Sequence, residues 1–232
     1  MIAQNKDENN EKKGYSELRS QIRTLDHKKD TIELDFQEQE NHIRSVWLEK
    51  KSFRIALMSM FTALSVVLAY TLASIPNIEL FTLSIFLGGF IMGKKEGLFI
   101  GLLSALIFVF FNPWGVSPLP LMVYQITHYA LVGLAGALTH DFLKNKSYFK
   151  PEKDLYTLSI MSLLGFSGAI ITVSYDLLTS FIDTLYIYGT LDAFPIYFLT
   201  GIVFTTIHEI GNTLGFIFIL PGLIQLVYKI LY

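Results

Sequence analysis

Phe86-Leu-Gly-Gly-Phe-Ile-Met-Gly-Lys94-Lys95-Glu-Gly97 is the stretch on which the fold turns. An apolar run from about Ile78 to Met92 stops at Gly93-Lys94-Lys95, and a second run, Leu98 to Phe111, follows at once. A helix needs about 20 residues to cross a hydrocarbon core of roughly 30 Å, and both runs are short by that measure. One alternative is a single re-entrant pair. The other is two short crossings that pack inside a bundle or thin the bilayer locally. Only two full crossings carry the lysine pair to the face opposite the preceding loop.

Working outward, four further apolar segments flank this pair. Ile55 to about Ile75 precedes it and ends at Pro76-Asn77. Leu119 to about Leu138 follows Asn112-Pro113-Trp114-Gly115 and leads into His140-Asp141. Leu155 to about Ile182 comes next. The last begins near Phe194, continues past Gly215 to Pro221, and adds an apolar piece ending at Tyr232. With six crossings and a cytoplasmic N-terminus, the inner loops hold Lys50, Lys51, Arg54, Lys94, Lys95, Lys144, Lys146, Lys150, Lys153 and Lys229. The outer loops, around Asn77, Trp114 and Tyr186 to Ala193, hold no Lys or Arg. That bias is the one the positive-inside rule predicts. The expected fold is an all-α membrane protein of about six transmembrane helices, residues 53–232, multi-pass in the cell membrane with its N-terminus in the cytoplasm. A cytoplasmic polar helical segment, residues 1–52, precedes it.

Composition agrees with a body solvated by the lipid bilayer. Of the 232 residues 52% are hydrophobic and 16% charged, with a mean hydropathy of +0.45, whereas a soluble domain carries about a quarter charged residues. Of the 18 Lys and Arg residues, 11 lie at or before Arg54. The net charge of −2 and the lack of a basic cluster give no reason to expect a nucleic-acid partner. The absence of cysteine excludes disulfides, thiolate metal sites and cysteine nucleophiles. No cleavable leader is expected, since Met1 to Asn10 is polar and the first apolar run starts only after Arg54.

In the polar front, Tyr15, Leu18, Ile22, Leu25, Lys29, Ile32, Phe36, Gln39, Ile43 and Val46 keep an alternating spacing of three and four. Eight of these ten are apolar, which reads as a heptad seam of an amphipathic or coiled-coil helix. In the body, small residues recur at helix-packing spacing: Ser59 and Ala63, Ser65, Ala69 and Ala73, Gly89 and Gly93, Gly97, Gly101 and Ala105, Gly211 and Gly215. In lipid, helices associate through close contact at such positions, and packing within the chain is the plainest use of most of them.

Ile55-Ala-Leu-Met-Ser-Met-Phe-Thr-Ala-Leu-Ser-Val-Val-Leu, Ile75-Pro-Asn-Ile-Glu-Leu-Phe, the Phe86–Gly97 stretch, Phe111-Asn-Pro-Trp-Gly-Val-Ser-Pro-Leu-Pro, and a fourth segment with Gln125 that closes on Leu131-Val-Gly-Leu-Ala-Gly-Ala-Leu follow in this order. The order resembles the substrate-binding S component of an energy-coupling factor (ECF) vitamin transporter, from about Phe53 to Tyr232. The resemblance implies a membrane protein, not itself an enzyme, that binds a vitamin or related micronutrient from outside. It also implies docking on an ECF transmembrane scaffold subunit driven by two cytoplasmic ATPase subunits. The family's Ala-xxx-Ala docking pair matches Ser59 and Ala63, so the first position departs from the pattern while staying small. The chain itself has no G-x-x-x-x-G-K-[ST] phosphate loop, so ATP chemistry would belong to a partner.

Polar groups in the apolar body are few, so each is a candidate. Gln125 and His128 share one face of the fourth segment, with Tyr124 adjacent. Thr172, Asp176, Thr179 and Asp183 recur at four, three and four in the fifth. Thr205, His208 and Asn212 share a face of the sixth, with Glu209 beside them. Three such stripes suit an outward-facing solute cavity, whose polar groups match those of a desolvated micronutrient. In it Asp176 accepts from a solute N–H or pairs with His128, and His208 and Asn212 form the floor. The alternative is a structural network joining His208 to Glu209 or Asp176. Asn112 and Trp114, after the third segment, are either an interfacial anchor or, in the ECF-like reading, a cap over the solute. Asn77 and Glu79 read as solvated loop residues. His208-Glu209-Ile210-Gly211-Asn212 approaches the His-Glu-x-x-His helix of zinc proteases. It has Asn where the second imidazole belongs, which makes a metalloprotease the weaker reading. No cofactor or metal is expected. A third reading makes the chain a membrane scaffold that recruits a partner through its front helix.

Overall fold

The computed structural model describes Lys28, residues 46–113 and residues 115–231. The heptad seam expected from Tyr15 onward lies outside the described residues except for Val46. Trp47–Leu231 forms one compact unit. Its elements are α1 (Val46–Glu49), α2 (Lys51–Leu72), α3 (Phe81–Met92), α4 (Lys94–Phe110), α5 (Leu119–Leu143), α6 (Leu158–Tyr188), α7 (Phe194–Thr200), α8 (Ile202–Leu214), a π-helical turn (Gly215–Ile219) and α9 (Leu220–Leu231). Among the described residues all regular structure is helical, as it must be where no water is present to satisfy backbone groups.

Four helices are long and apolar enough to cross a membrane: Lys51–Leu72, Leu119–Leu143, Leu158–Tyr188 and the continuous Ile202–Leu231. The other two of the six expected segments, α3 and α4, have 12 and 17 residues. At 1.5 Å per residue α3 is only about 18 Å long, yet all twelve of its residues are buried. It is apolar around its whole circumference because it touches neighbours on every side. Phe61 of α2, Ile100 of α4 and Phe216 of the π turn are fully buried in the same core, and the Ser84 hydroxyl donates to Ser65 at 2.9 Å.

Glycines let α3, α4 and α5 meet backbone to backbone. A Cβ on Gly133 of α5 would stand 1.9 Å from the Gly97 carbonyl of α4, and one on Gly89 of α3 would stand 1.8 Å from the Gly133 carbonyl. Of the small residues read from the sequence as packing positions, Gly89, Gly97 and Gly101 are used that way here, whereas Gly93 and Gly211 have open space beside them.

The ionic contacts sort the helix ends. Arg54 at the start of α2 pairs with Glu96 at the start of α4. Lys94 and Lys144 both reach Asp141 near the end of α5, at 2.8 and 2.9 Å. Gln225 of α9 donates to the Lys153 carbonyl ahead of α6 at 3.0 Å, and Tyr228 meets His140 at 2.8 Å. One end of the bundle therefore carries the lysines, and the linkers 73–80 and 111–118 lie at the other. The α3 and α4 helices run between these same two ends.

The sequence suggested a break at Pro221, yet the helix passes through it. A proline ring clashes with the carbonyl four residues back and donates no N–H. Here that carbonyl belongs to Ile217, inside the π turn, where the register is already widened. The chain breaks instead at Gly201, which separates the seven-residue α7 from α8.

Candidate functional site

A cavity of about 440 Å³ lies at the lysine-free end. Its wall is made by Ala69 and Leu72 of α2, the whole 73–79 linker, Phe81 of α3, Phe108 of α4, Tyr129 of α5, Tyr175 and Asp176 of α6, and His208 of α8. None of these residues is Lys or Arg.

The polar side begins at Asn77. Its backbone sits in the left-handed region (φ 58°), which a short amide side chain tolerates, and its Nδ2 donates to the Phe204 carbonyl at 2.9 Å. The linker is thereby tied to α8, and this carries Glu79 inward. Glu79 Oε2 accepts from the Thr82 amide at 2.9 Å, and Oε1 accepts from the Thr82 hydroxyl. The carboxylate thus caps the positive end of α3. Oε1 also accepts from Asn212 Nδ2 at 3.1 Å and stands 3.7 Å from His208 Nε2.

His208 Nδ1 lies 2.9 Å from Asp176 Oδ1, and both residues are buried. A carboxylate only accepts, so Nδ1 carries a proton. In the neutral ring Nε2 then accepts from Asn212 Nδ2 at 3.1 Å. Asn212 reaches Thr172 Oγ1 at 3.1 Å as well. Asp176 Oδ2 is buried and makes no hydrogen bond. Asp176, His208, Asn212 and Glu79 thus form one connected network, three of whose members come from two helix faces the sequence singled out separately. The partner of Asp176 is His208, not His128.

Tyr124, Gln125 and His128 stand one layer behind the wall. Gln125 Nε2 donates to the Tyr175 hydroxyl at 3.0 Å. The Tyr124 hydroxyl donates to the Ser174 carbonyl at 3.0 Å, so at 3.2 Å it receives the proton of His128 Nδ1. The His128 ring packs 5.1 Å from Tyr175 and 5.4 Å, edge-on, from Tyr129. These three residues fix the two tyrosines that face the cavity. Asn112 is not in the wall, and its carbonyl closes a turn by accepting from Gly115 at 3.0 Å. Trp114 lies outside the described residues. Glu209 is not in the wall, and its Oε1 accepts from Thr213 at 3.4 Å. No group of three or more His, Cys, Asp or Glu that could hold a metal occurs among the described residues.

Sequence reasoning missed Glu79, Tyr129 and Tyr175. A carboxylate just ahead of an apolar helical run is favoured by the helix's positive end, a signal that could have placed Glu79. The tyrosines neighbour His128 and Asp176 in the sequence but carry no distinguishing pattern. On the outer surface of α2, Ser59 and Ala63 are exposed together with Met60 and Val67, one helical turn apart.

A family model described as ECF transporter, substrate-specific component matches residues 53–231. No curated protein and no solved structure matches this chain.

Proposed function

This chain belongs to the family of ECF transporter substrate-specific components, and from that premise we propose that its cavity captures a vitamin or related micronutrient for uptake. The observation that carries the reading is the cluster of half-buried Glu79 with buried His208 and Asp176 in the wall of a cavity at the lysine-free end. Ionisable side chains at membrane depth are costly and are kept where they serve a solute or a proton. A volume of about 440 Å³ falls within the range of small-molecule sites.

In this reading Asp176, His208 and Glu79 contact the solute and Asn212 holds the imidazole. Tyr124, Gln125 and His128 position the tyrosine wall. Asn112 and Trp114 belong to a loop that caps the mouth. The domain of residues 53–232 crosses the bilayer six times, with α3 and α4 as short crossings shielded by their neighbours. The lysine-bearing end faces the cytoplasm, in line with the positive-inside rule, and the 1–52 segment lies on that side. Ser59 and Ala63 offer a small-residue face on α2 for a membrane scaffold subunit, and two ATPase subunits beneath it supply the energy. The chain acts by binding and release, without chemistry of its own.

Thermal melting of detergent-purified protein against a micronutrient panel tests the proposal. A ligand at 100 times its Kd stabilises by about 2.7 kcal/mol, which is a shift of several degrees for a chain of this size. One compound or one related set is expected to give that shift. If no compound does, and cells carrying Asp176→Ala take up every micronutrient at the normal rate, the proposal fails.

A further inference from the structure

Resting on the reading of the cavity as the solute site, we infer that it selects a flat aromatic solute bearing a cationic nitrogen and rejects analogues bearing a carboxylate or phosphate in that position. The charge balance of the wall is the first reason. Glu79 and Asp176 supply two carboxylates, His208 supplies one imidazole, and Lys and Arg are absent from the lining. Even a doubly protonated His208 leaves one negative charge unmatched. An anion about 4 Å from that charge, away from bulk water, would lose on the order of 100-fold or more in affinity, and a cation would gain.

The second reason is which oxygen is free. The Glu79 oxygens are taken by Thr82 and Asn212, and Asp176 Oδ1 is taken by His208. Asp176 Oδ2, in a buried side chain of the wall, is a carboxylate oxygen with no hydrogen bond at all. A solute N–H, above all a charged one, supplies the missing donor.

The remaining wall is aromatic. Phe81 lies 5.0 Å from Phe108 and 4.7 Å from Tyr129, and Tyr129 lies 5.6 Å from Tyr175. These rings present surfaces for stacking and for cation–π contact. A planar solute with its cationic nitrogen toward Asp176 meets all three features.

Pairs that share a ring and carry opposite charges on its substituent test the inference on the full chain in detergent. Benzamidine is compared with benzoate, and pyridoxamine with 4-pyridoxic acid, by thermal shift and ligand-observed NMR. The cation of each pair should bind at least about 10-fold more tightly, and Asp176→Asn should reduce that ratio toward one. The ratio in the unaltered protein is informative by itself should the variant fold poorly. Equal binding within each pair, or tighter binding of the anion, overturns the charge selection and leaves the cavity as a solute site. Binding of neither member overturns both.

Discussion

Asn212 is the residue on which the site's geometry rests most. Its amide nitrogen carries two protons and has three acceptors at 3.1 Å: Glu79 Oε1, Thr172 Oγ1 and His208 Nε2. Asn212→Ala leaves the buried His208 Nε2 and Thr172 Oγ1 without this donor, while Glu79 Oε1 keeps the Thr82 hydroxyl. The expected cost is about 1–3 kcal/mol, seen as a fall of roughly 2–10 °C in the melting temperature of the solute-free protein. Thr206→Ala, at an exposed position on the same helix where the hydroxyl only returns to the Ile202 carbonyl, should leave melting unchanged. Equal melting of Asn212→Ala and the parent would mean the network carries no stability. Asp176, His208 and Asn212 were legible in the sequence because a polar side chain in an apolar helix has few uses. Glu79 was not, since a loop carboxylate is ordinarily solvated and its burial depends on the 73–80 linker closing against α8. Helical period placed Gln125 and His128 on one face correctly. It could not say that this face meets Tyr175 and Tyr129 with the cavity beyond them.

At the scale of elements, the α3–α4–α5 contact is the most sensitive. Gly133 packs against Gly97, whose carbonyl oxygen lies 1.9 Å from where a methyl group on Gly133 would sit, and backbone cannot swing aside as a side chain can. Gly133→Ala should therefore destabilise by about 1–3 kcal/mol or more through overpacking, despite the better helix propensity of alanine. Reduced yield of monodisperse protein and a lower melting temperature would register it. Gly211, whose Cβ would find nothing nearer than 4.0 Å, is the tolerant control. The sequence showed that two segments were too short to cross unaided and that small residues gathered there. It did not show that α3 is buried on every face, because hydropathy is alike for a helix wrapped in protein and one wrapped in lipid. Pro221 was misleading for a local reason: the π turn ahead of it removes the clash that normally ends a helix.

For the whole molecule, the distribution of lysines was the most readable feature. Charges that lie far apart in the chain meet at one end, through Arg54–Glu96 and Lys94–Asp141, and the cavity occupies the other. The family match over residues 53–231 makes the chain a substrate-specific transport component of a membrane, and the cavity is where such a component would hold its cargo. The most direct check is mass spectrometry of small molecules extracted from protein purified gently from cells grown in rich medium, comparing the parent chain with His208→Ala. One small organic solute, near stoichiometric in the parent and depleted at least about 10-fold in the variant, is the expected result. A parent that carries no solute, or a variant that carries as much of it, would contradict the assignment of the cavity.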